Sequence, residues 1–408
     1  MTQRFTILRI TPDGRKGGPF LGGNPPSPGF ESAPRDAKQL RFEDAELDKR
    51  EAALVARERG VSAVVPVMPI KLVKPLAPGP EAGADATDAA YSWGLREVGA
   101  LESRFTGEGV VVAVLDTGIE AAHPAFKGVQ IVARNFGGGD AADVTDVDGH
   151  GTHCAGTIFG RDVGGARIGV APGVKKALVG KVLDDQGNGD SAAIFKGLQW
   201  AIGEGAHVVS MSIGFDFPGM VQQLVNQRMP ADIATSQALI AFAATLRVFD
   251  TLMALARPNP AYPEGCVVVG AAGNESRRDF DPSHEVGAAL PSSAQDAISV
   301  GALDRAPGGR LAVATFSNTA PLLSAPGVRI KSAALGGGLK SLSGTSMAAP
   351  HVAGVAALWW QALREAADSY TNQDVVARLR TTARTDVFAP GVDAADRGRG
   401  RVRAPPVP

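Results

Sequence analysis

Val110-Val111-Val112-Ala113-Val114-Leu115-Asp116 is an unbroken apolar run that ends on a carboxylate. A strand with one face in water alternates between apolar and polar residues. A strand covered on both faces, as in a helix-flanked parallel sheet, reads as continuous β-branched and aliphatic residues. Runs at 176–182, 208–213 and 266–270 have the same character, and helical periodicity over 191–204, 234–256 and 346–364 separates or follows them. This alternation predicts an α/β fold: a doubly wound parallel sheet with helices on both faces.

Upstream of Tyr91 the pattern changes. A strand at 3–10 is followed by a Gly/Pro-rich loop through Asn24-Pro25-Pro26-Ser27-Pro28-Gly29. Phe42, Leu47, Leu54 and Val55 recur among charged residues and predict a helix over 43–60, and the β-branched stretch after it predicts a strand over 61–73. Residues 1–80 thus form a small α+β unit. Lys74-Pro75-Leu76-Ala77-Pro78-Gly79-Pro80 and the Ala/Asp-rich stretch after it read as exposed linker, assigned to 81–90, and the large domain spans 91–408.

Composition narrows the function classes. Lys and Arg total 41 against 42 Asp and Glu, so no charge footprint marks a nucleic-acid or anionic-membrane partner. The basic Gly-rich run at 396–404 holds Arg397, Arg399, Arg401 and Arg403 without interleaved aromatics, too little for a nucleic-acid tail. No run approaches the roughly 18 apolar residues of a membrane span. Residues 1–10 alternate like a strand and lack the apolar core of a signal peptide, so a cytoplasmic location is the default expectation, with export by a route without signal peptide left open. The two cysteines, Cys154 and Cys266, define no disulfide framework and are expected as reduced thiols.

Four short motifs carry candidate chemistry. Asp116 closes the first buried strand, at the sheet edge where α/β folds place their sites; alone, it also reads as a turn or cap residue. In Asp148-Gly149-His150-Gly151-Thr152-His153-Cys154, His150 stands between glycines that leave room for a substrate backbone, and imidazole has the near-neutral pKa a general base needs. A metal shared by His150 and His153 is the alternative, without a third ligand at a suggestive distance. Ala271-Ala272-Gly273-Asn274 follows another buried strand and offers an amide donor, or a simple turn. Gly344-Thr345-Ser346-Met347-Ala348-Ala349-Pro350-His351-Val352-Ala353-Gly354 opens a helix of small residues. Ser346 is either its N-cap or a nucleophile beside free backbone N–H groups suited to an oxyanion.

Asp116, His150, Asn274 and Ser346, each in its local pattern and in that chain order, resemble the subtilisin-like serine protease family over about residues 91–404. The resemblance implies a serine endopeptidase: Asp116 orients His150, His150 takes the proton of Ser346, and Asn274 with the Ser346 N–H binds the oxyanion of an acyl-transfer reaction. It further implies that Gly187, Asn188 and Gly189 on one side and Ser212, Ile213 and Gly214 on the other pair with the substrate peptide as edge strands. The chemistry requires no cofactor, and no metal ligand is assigned. Structural calcium is common in the family, and the Asp-rich stretch 140–148 is suggestive without giving a complete ligand set. Cys154 would lie close beneath the histidine.

The first 80 residues resemble the family's inhibitory propeptide, so the partners implied are protein or peptide substrates and the chain's own N-terminal segment as an intramolecular inhibitor. Self-cleavage between about Leu76 and Ala90 is the matching expectation. Residues 215–262 depart from the family as an insertion, amphipathic through Leu239, Phe242, Leu246, Phe249, Leu252 and Met253, that either caps the cleft, offers a partner surface or packs as a surface elaboration. Glu275, next to Asn274, points to a mild liking for polar or basic side chains. A narrow processing protease for one partner and a catalytically silent peptide-binding relative are the alternative functions.

Overall fold

The computed structural model describes residues 2–10, 40–76 and 90–406; the Gly/Pro-rich loop and most of the linker read from the sequence lie outside the described residues. The N-terminal unit comprises β1 (Gln3–Ile10), β2 (Leu40–Leu47), α1 (Lys49–Val55) and β3 (Val61–Pro66), with β1 central and antiparallel to both neighbours. The helix expected over 43–60 is therefore shorter: its first five residues belong to β2, 49–55 are helical and 56–60 turn. Leu40 and Phe42 alternate inward, and Phe42 stacks on Phe195 with ring centroids 5.6 Å apart. The helix starts only at Lys49, because Asp48 caps the amides of Arg50 and Glu51 while Glu51 bonds back to the Asp48 amide. The strand expected over 61–73 is two strands. β3 stays with β1, whereas β4 (Pro69–Leu72) leaves the unit and joins the large domain.

The large domain runs α2 (Trp93–Glu97), β5 (Val111–Asp116), β6 (Gln130–Asn135), α3 (His150–Phe159), β7 (Lys176–Lys181), β8 (Asn188–Asp190), α4 (Ser191–Gly203), β9 (Val208–Met211) and β10 (Ile213–Phe215). It continues with α5 (Phe217–Asn226), α6 (Ala231–Ala256), β11 (Val267–Ala271), β12 (Ala297–Ala306), β13 (Arg310–Val313), β14 (Leu323–Pro326), β15 (Ile330–Ala334), β16 (Gly338–Leu342), α7 (Thr345–Ala366), α8 (Asn372–Thr381) and α9 (Ala394–Arg397). The main sheet has the order β13-β12-β11-β9-β5-β7-β6, with β14 on β12, and every pairing is parallel except that of β13. The opening run sits at its centre. Val112 and Val114 pack into the layer of α3 and α7, Ala113 and Leu115 into the layer of α4 and α6, so both faces are covered as the unbroken apolar pattern demands.

The segment 215–262 folds into α5 and α6, joined by an edge-to-face contact of Phe217 and Phe242 at 6.1 Å. α6 packs on α4 and on β3, so the inserted helices stand beside the N-terminal unit. Contrary to the expectation that no run reaches membrane-spanning length, α6 passes that test by length and composition, with a mean hydropathy of 1.7 over its most apolar window. Arg247 and Asp250 interrupt the run in sequence. In the fold its apolar residues divide by face: Ala234, Ala238, Ala241, Val248, Phe249 and Leu252 are buried against the protein, while Ile233, Leu239 and Ile240 face outward.

Candidate active site

The carboxyl ends of the central strands converge on one cleft. Asp116, the last residue of β5, is buried, and its Oδ1 accepts from the Thr117 amide at 2.8 Å and from His150 Nδ1 at 2.8 Å. Its Oδ2 is buried and has no hydrogen-bond partner among the described residues. His150 opens α3 after Gly149, whose φ of +87° is a conformation that favours glycine. The flanking glycines also serve packing within the protein. A Cβ on Gly151 would lie 2.3 Å from the Gly118 carbonyl and 3.2 Å from the Asp116 Cβ, so that glycine lets α3 start against β5.

Asp146, which sequence reasoning passed over as part of an Asp-rich loop, ties these segments together. It accepts from Thr117 Oγ1 at 2.8 Å, the Gly149 amide at 2.8 Å, and the Thr152 amide and hydroxyl at 2.8 and 2.7 Å. Thr117 Oγ1 in turn accepts from the Gly151 amide at 2.9 Å. A carboxylate three residues before Gly149 was the available signal. In the same stretch, Asp140 and Asp143 bond the amides of Ala142 and Thr145, so these oxygens brace turns.

Burial pushes the His150 imidazole down, but the Asp116 charge and hydrogen bond, with the neighbouring Cys154, outweigh it and hold His150 well above its ordinary 6.5. Cys154 lies one turn on, its Sγ 3.7 Å from His150 Nδ1, and burial pushes its thiol up. Both cysteines are free and buried. His153 faces away: its Nε2 bonds the Ile330 carbonyl at 3.0 Å, and burial pushes it down to about 3. The metal shared by His150 and His153 thus loses its second imidazole. Asp116, His150 and Cys154 have ligand atoms within 4.8 Å of one another, but the Asp116–His150 bond already engages Oδ1 and Nδ1.

Ser346 is the second residue of α7 and fully buried. Pro350 lies inside the helix rather than at its first turn and has no N–H for the Ser346 carbonyl four residues back. That carbonyl instead receives Cys154 Sγ and Ser212 Oγ, each at 3.4 Å, which joins α7 to α3 and to the segment after β9. Asn274 is oriented by α7: its Oδ1 accepts from the Thr345 amide at 2.9 Å and from Thr345 Oγ1 at 2.8 Å, turning Nδ2 into the cleft.

The cleft is filled by the chain itself. β4 lies between β8 and β10, antiparallel to both, with Ile70 opposite Gly189 and Phe215, Lys71 opposite Asn188 and Gly214, and Leu72 opposite Ile213. The Leu72 amide donates to the Gly187 carbonyl at 2.8 Å and the Val73 amide to the Ser212 carbonyl at 3.3 Å. All six residues expected to line a peptide therefore meet one strand. Ser346 Oγ donates to the Val73 carbonyl at 2.8 Å, Asn274 Nδ2 to the Lys74 carbonyl at 3.0 Å, and the Leu76 amide to the Ser343 carbonyl at 2.8 Å. The stretch 74–76, read as free linker, is thus hydrogen-bonded along the cleft. The peptide bond beside Ser346 follows Val73, upstream of the expected 76–90 window. Glu275 accepts at Oε2 from Asn318 Nδ2 at 2.8 Å.

Residues 107–400 match the model of the subtilase family of peptidases. The chain belongs to the subtilase family. It is similar to a thermostable alkaline protease of Halalkalibacterium halodurans, 32% identical over 83% of this chain and 76% of the relative. It is also similar to the alkaline elastase YaB of a Bacillus species, 35% identical over 71% of this chain and 64% of the relative, and to an intracellular serine protease of Paenibacillus polymyxa, 36% identical over 62% and 67%. As a subtilase, the protein is a serine endopeptidase whose chemistry requires no cofactor.

Proposed function

We propose that this subtilase cleaves its own chain between Val73 and Lys74 and then acts on other peptides in the same cleft. The carrying observation is β4, held as the middle strand between β8 and β10, and the residue just after it, Val73, whose carbonyl oxygen lies 2.8 Å from Ser346 Oγ. In this reading His150, oriented through Nδ1 by Asp116, receives the Ser346 proton at Nε2 as Oγ attacks the Val73 carbonyl carbon. Asn274 Nδ2, which donates to the neighbouring Lys74 carbonyl at 3.0 Å, shifts by one carbonyl to meet the Val73 oxyanion together with the Ser346 amide at the start of α7. His150 then delivers the proton to the Lys74 nitrogen, and water resolves the acyl-enzyme.

Until it departs, the N-terminal unit acts as the intramolecular inhibitor. Its attachment is broad: Phe42 stacks on Phe195, Lys196 Nζ lies 2.5 Å from Asp44, Arg4 Nη1 lies 2.8 Å from Asp190, and Gln199 Nε2 donates to the Leu40 carbonyl at 2.8 Å. Intact-mass analysis tests the proposal. Wild type is expected to yield a fragment starting at Lys74 and to react with a fluorophosphonate, and Ser346→Ala to stay whole and unlabelled. A wild type that digests casein with its N-terminus intact would sink the self-cleavage.

A further inference from the structure

The inserted segment brings a carboxylate to the cleft. Asp216 follows Phe215 directly, caps α5 by accepting the Gly219 amide at 3.1 Å, and has its own amide on the Pro69 carbonyl at 2.9 Å. Its Oδ1 meets Lys71 Nζ at 3.0 Å. Side chains on the occupying strand divide by burial: Ile70, Leu72 and Val73 are sunk in the protein, while Lys71 is 43% exposed and reaches the rim where Asp216 stands, itself 24% exposed. The helix cap fixes this carboxylate whether or not a peptide is present, and the Asp216–Pro69 backbone bond sets its register against the strand.

We infer that Asp216 is a specificity-determining residue that selects substrates with lysine or arginine three positions before the scissile bond, in the setting Ile-Lys-Leu-Val that β4 displays. The inference rests on the reading of β4 as the first substrate. The side chains at the three other positions are apolar and buried, and Asp216 supplies the charged contact to this segment. A partly exposed pair of this kind favours lysine over glutamine by about two- to fivefold in kcat/KM, with glutamate lower still and the spread shrinking as salt screens the charge.

The test uses the full chain, allowed to mature, and four internally quenched peptides carrying Ile-Xaa-Leu-Val-Lys with lysine, arginine, glutamine or glutamate at the variable position. The expected order of kcat/KM is lysine and arginine above glutamine above glutamate, compressed at high salt and abolished in Asp216→Asn. Asn retains the helix cap, and Asp216→Ser offers a second capping replacement. Equal cleavage of all four by wild type, or an order unchanged in both variants, overturns the role of Asp216 and leaves the peptidase reading standing. Cleavage of none of the four overturns both.

Discussion

At the residue scale, the position of His150 is over-determined, and its chemistry follows from that. Because Asp116 holds the imidazole well above 6.5, and only the neutral ring can take the Ser346 proton, kcat/KM is expected to rise with pH through a value above 6.5. Asp116→Asn should move this acid limb downward and lower kcat by about 10⁴, a size carried over from other serine-protease triads. A pH profile of wild type with its limb below 6.5 would contradict the assignment. Gly151→Ala tests the geometry without touching a reactive atom. Its Cβ has no room against Gly118 and Asp116, so α3 must shift, and a displacement of about 1 Å is worth on the order of 10²-fold in rate. Turnover should fall while circular dichroism stays native. Losing the Asn274 amide should cost about 10²–10³ in kcat, a magnitude carried over from subtilisin, and Thr345→Val, which frees Asn274 on one side, a smaller part of it.

At the element scale, α4 and α6 act as the bed for the N-terminal unit while β8 and β10 grip its outgoing strand. Phe42→Ala removes the aromatic contact with Phe195, worth about 1 kcal/mol beyond buried area, so the cleaved unit should leave sooner. The observable is a shorter lag between appearance of the Lys74 terminus and peptide hydrolysis. An unchanged lag would mean that β4, rather than the sheet, holds the unit. The central strands β5, β7, β9 and β11 and the helices α4, α6 and α7 were legible because their apolar runs exceed what a surface element carries, whereas β6 and β12 to β16 were not read from the sequence. β2 was not, since Phe42, Leu47, Leu54 and Val55 fit a helical spacing and only the Asp48 capping box marks where strand ends and helix begins. The register of β4 was equally hidden, because nothing local tells Pro69–Leu72 to leave β1 for a cleft built from residues more than a hundred positions away.

At the scale of the whole molecule, two buried histidines outside the reaction set an acid limit. His351 donates from Nδ1 to the Met347 carbonyl at 2.8 Å, its Nε2 has no partner among the described residues, and burial pushes it down to about 4; His153 is held near 3. Both titrate at the ordinary 6.5 once unfolded. The unfolded chain therefore binds these protons first, so stability is complete above pH 6.5 and falls as pH drops toward 4, by roughly 3 kcal/mol for His351 alone. Thermal melts should show a Tm that declines from pH 7 to 4.5, and His351→Phe, which cannot titrate, should reduce the decline. An equal decline in the variant would place the acid limit elsewhere.

Read alone, the sequence determined the central strands of the sheet and named the candidate site residues. Both are written in short contiguous patterns: the apolar run from Val110 to Asp116 calls for burial on two faces, Asp116 ends β5, His150 opens α3, Ser346 is second in α7, and Asn274 lies in the loop three residues past β11. Tertiary structure decided how these pieces are braced and what the cleft holds. Asp146 reaching Thr117 and Thr152, Pro350 releasing the Ser346 carbonyl to Cys154 and Ser212, Val73 lying at the serine, and Asp216 meeting Lys71 all join residues distant in sequence. Such contacts leave no local periodicity to read, because their geometry exists only once separate strands and helices have packed against one another.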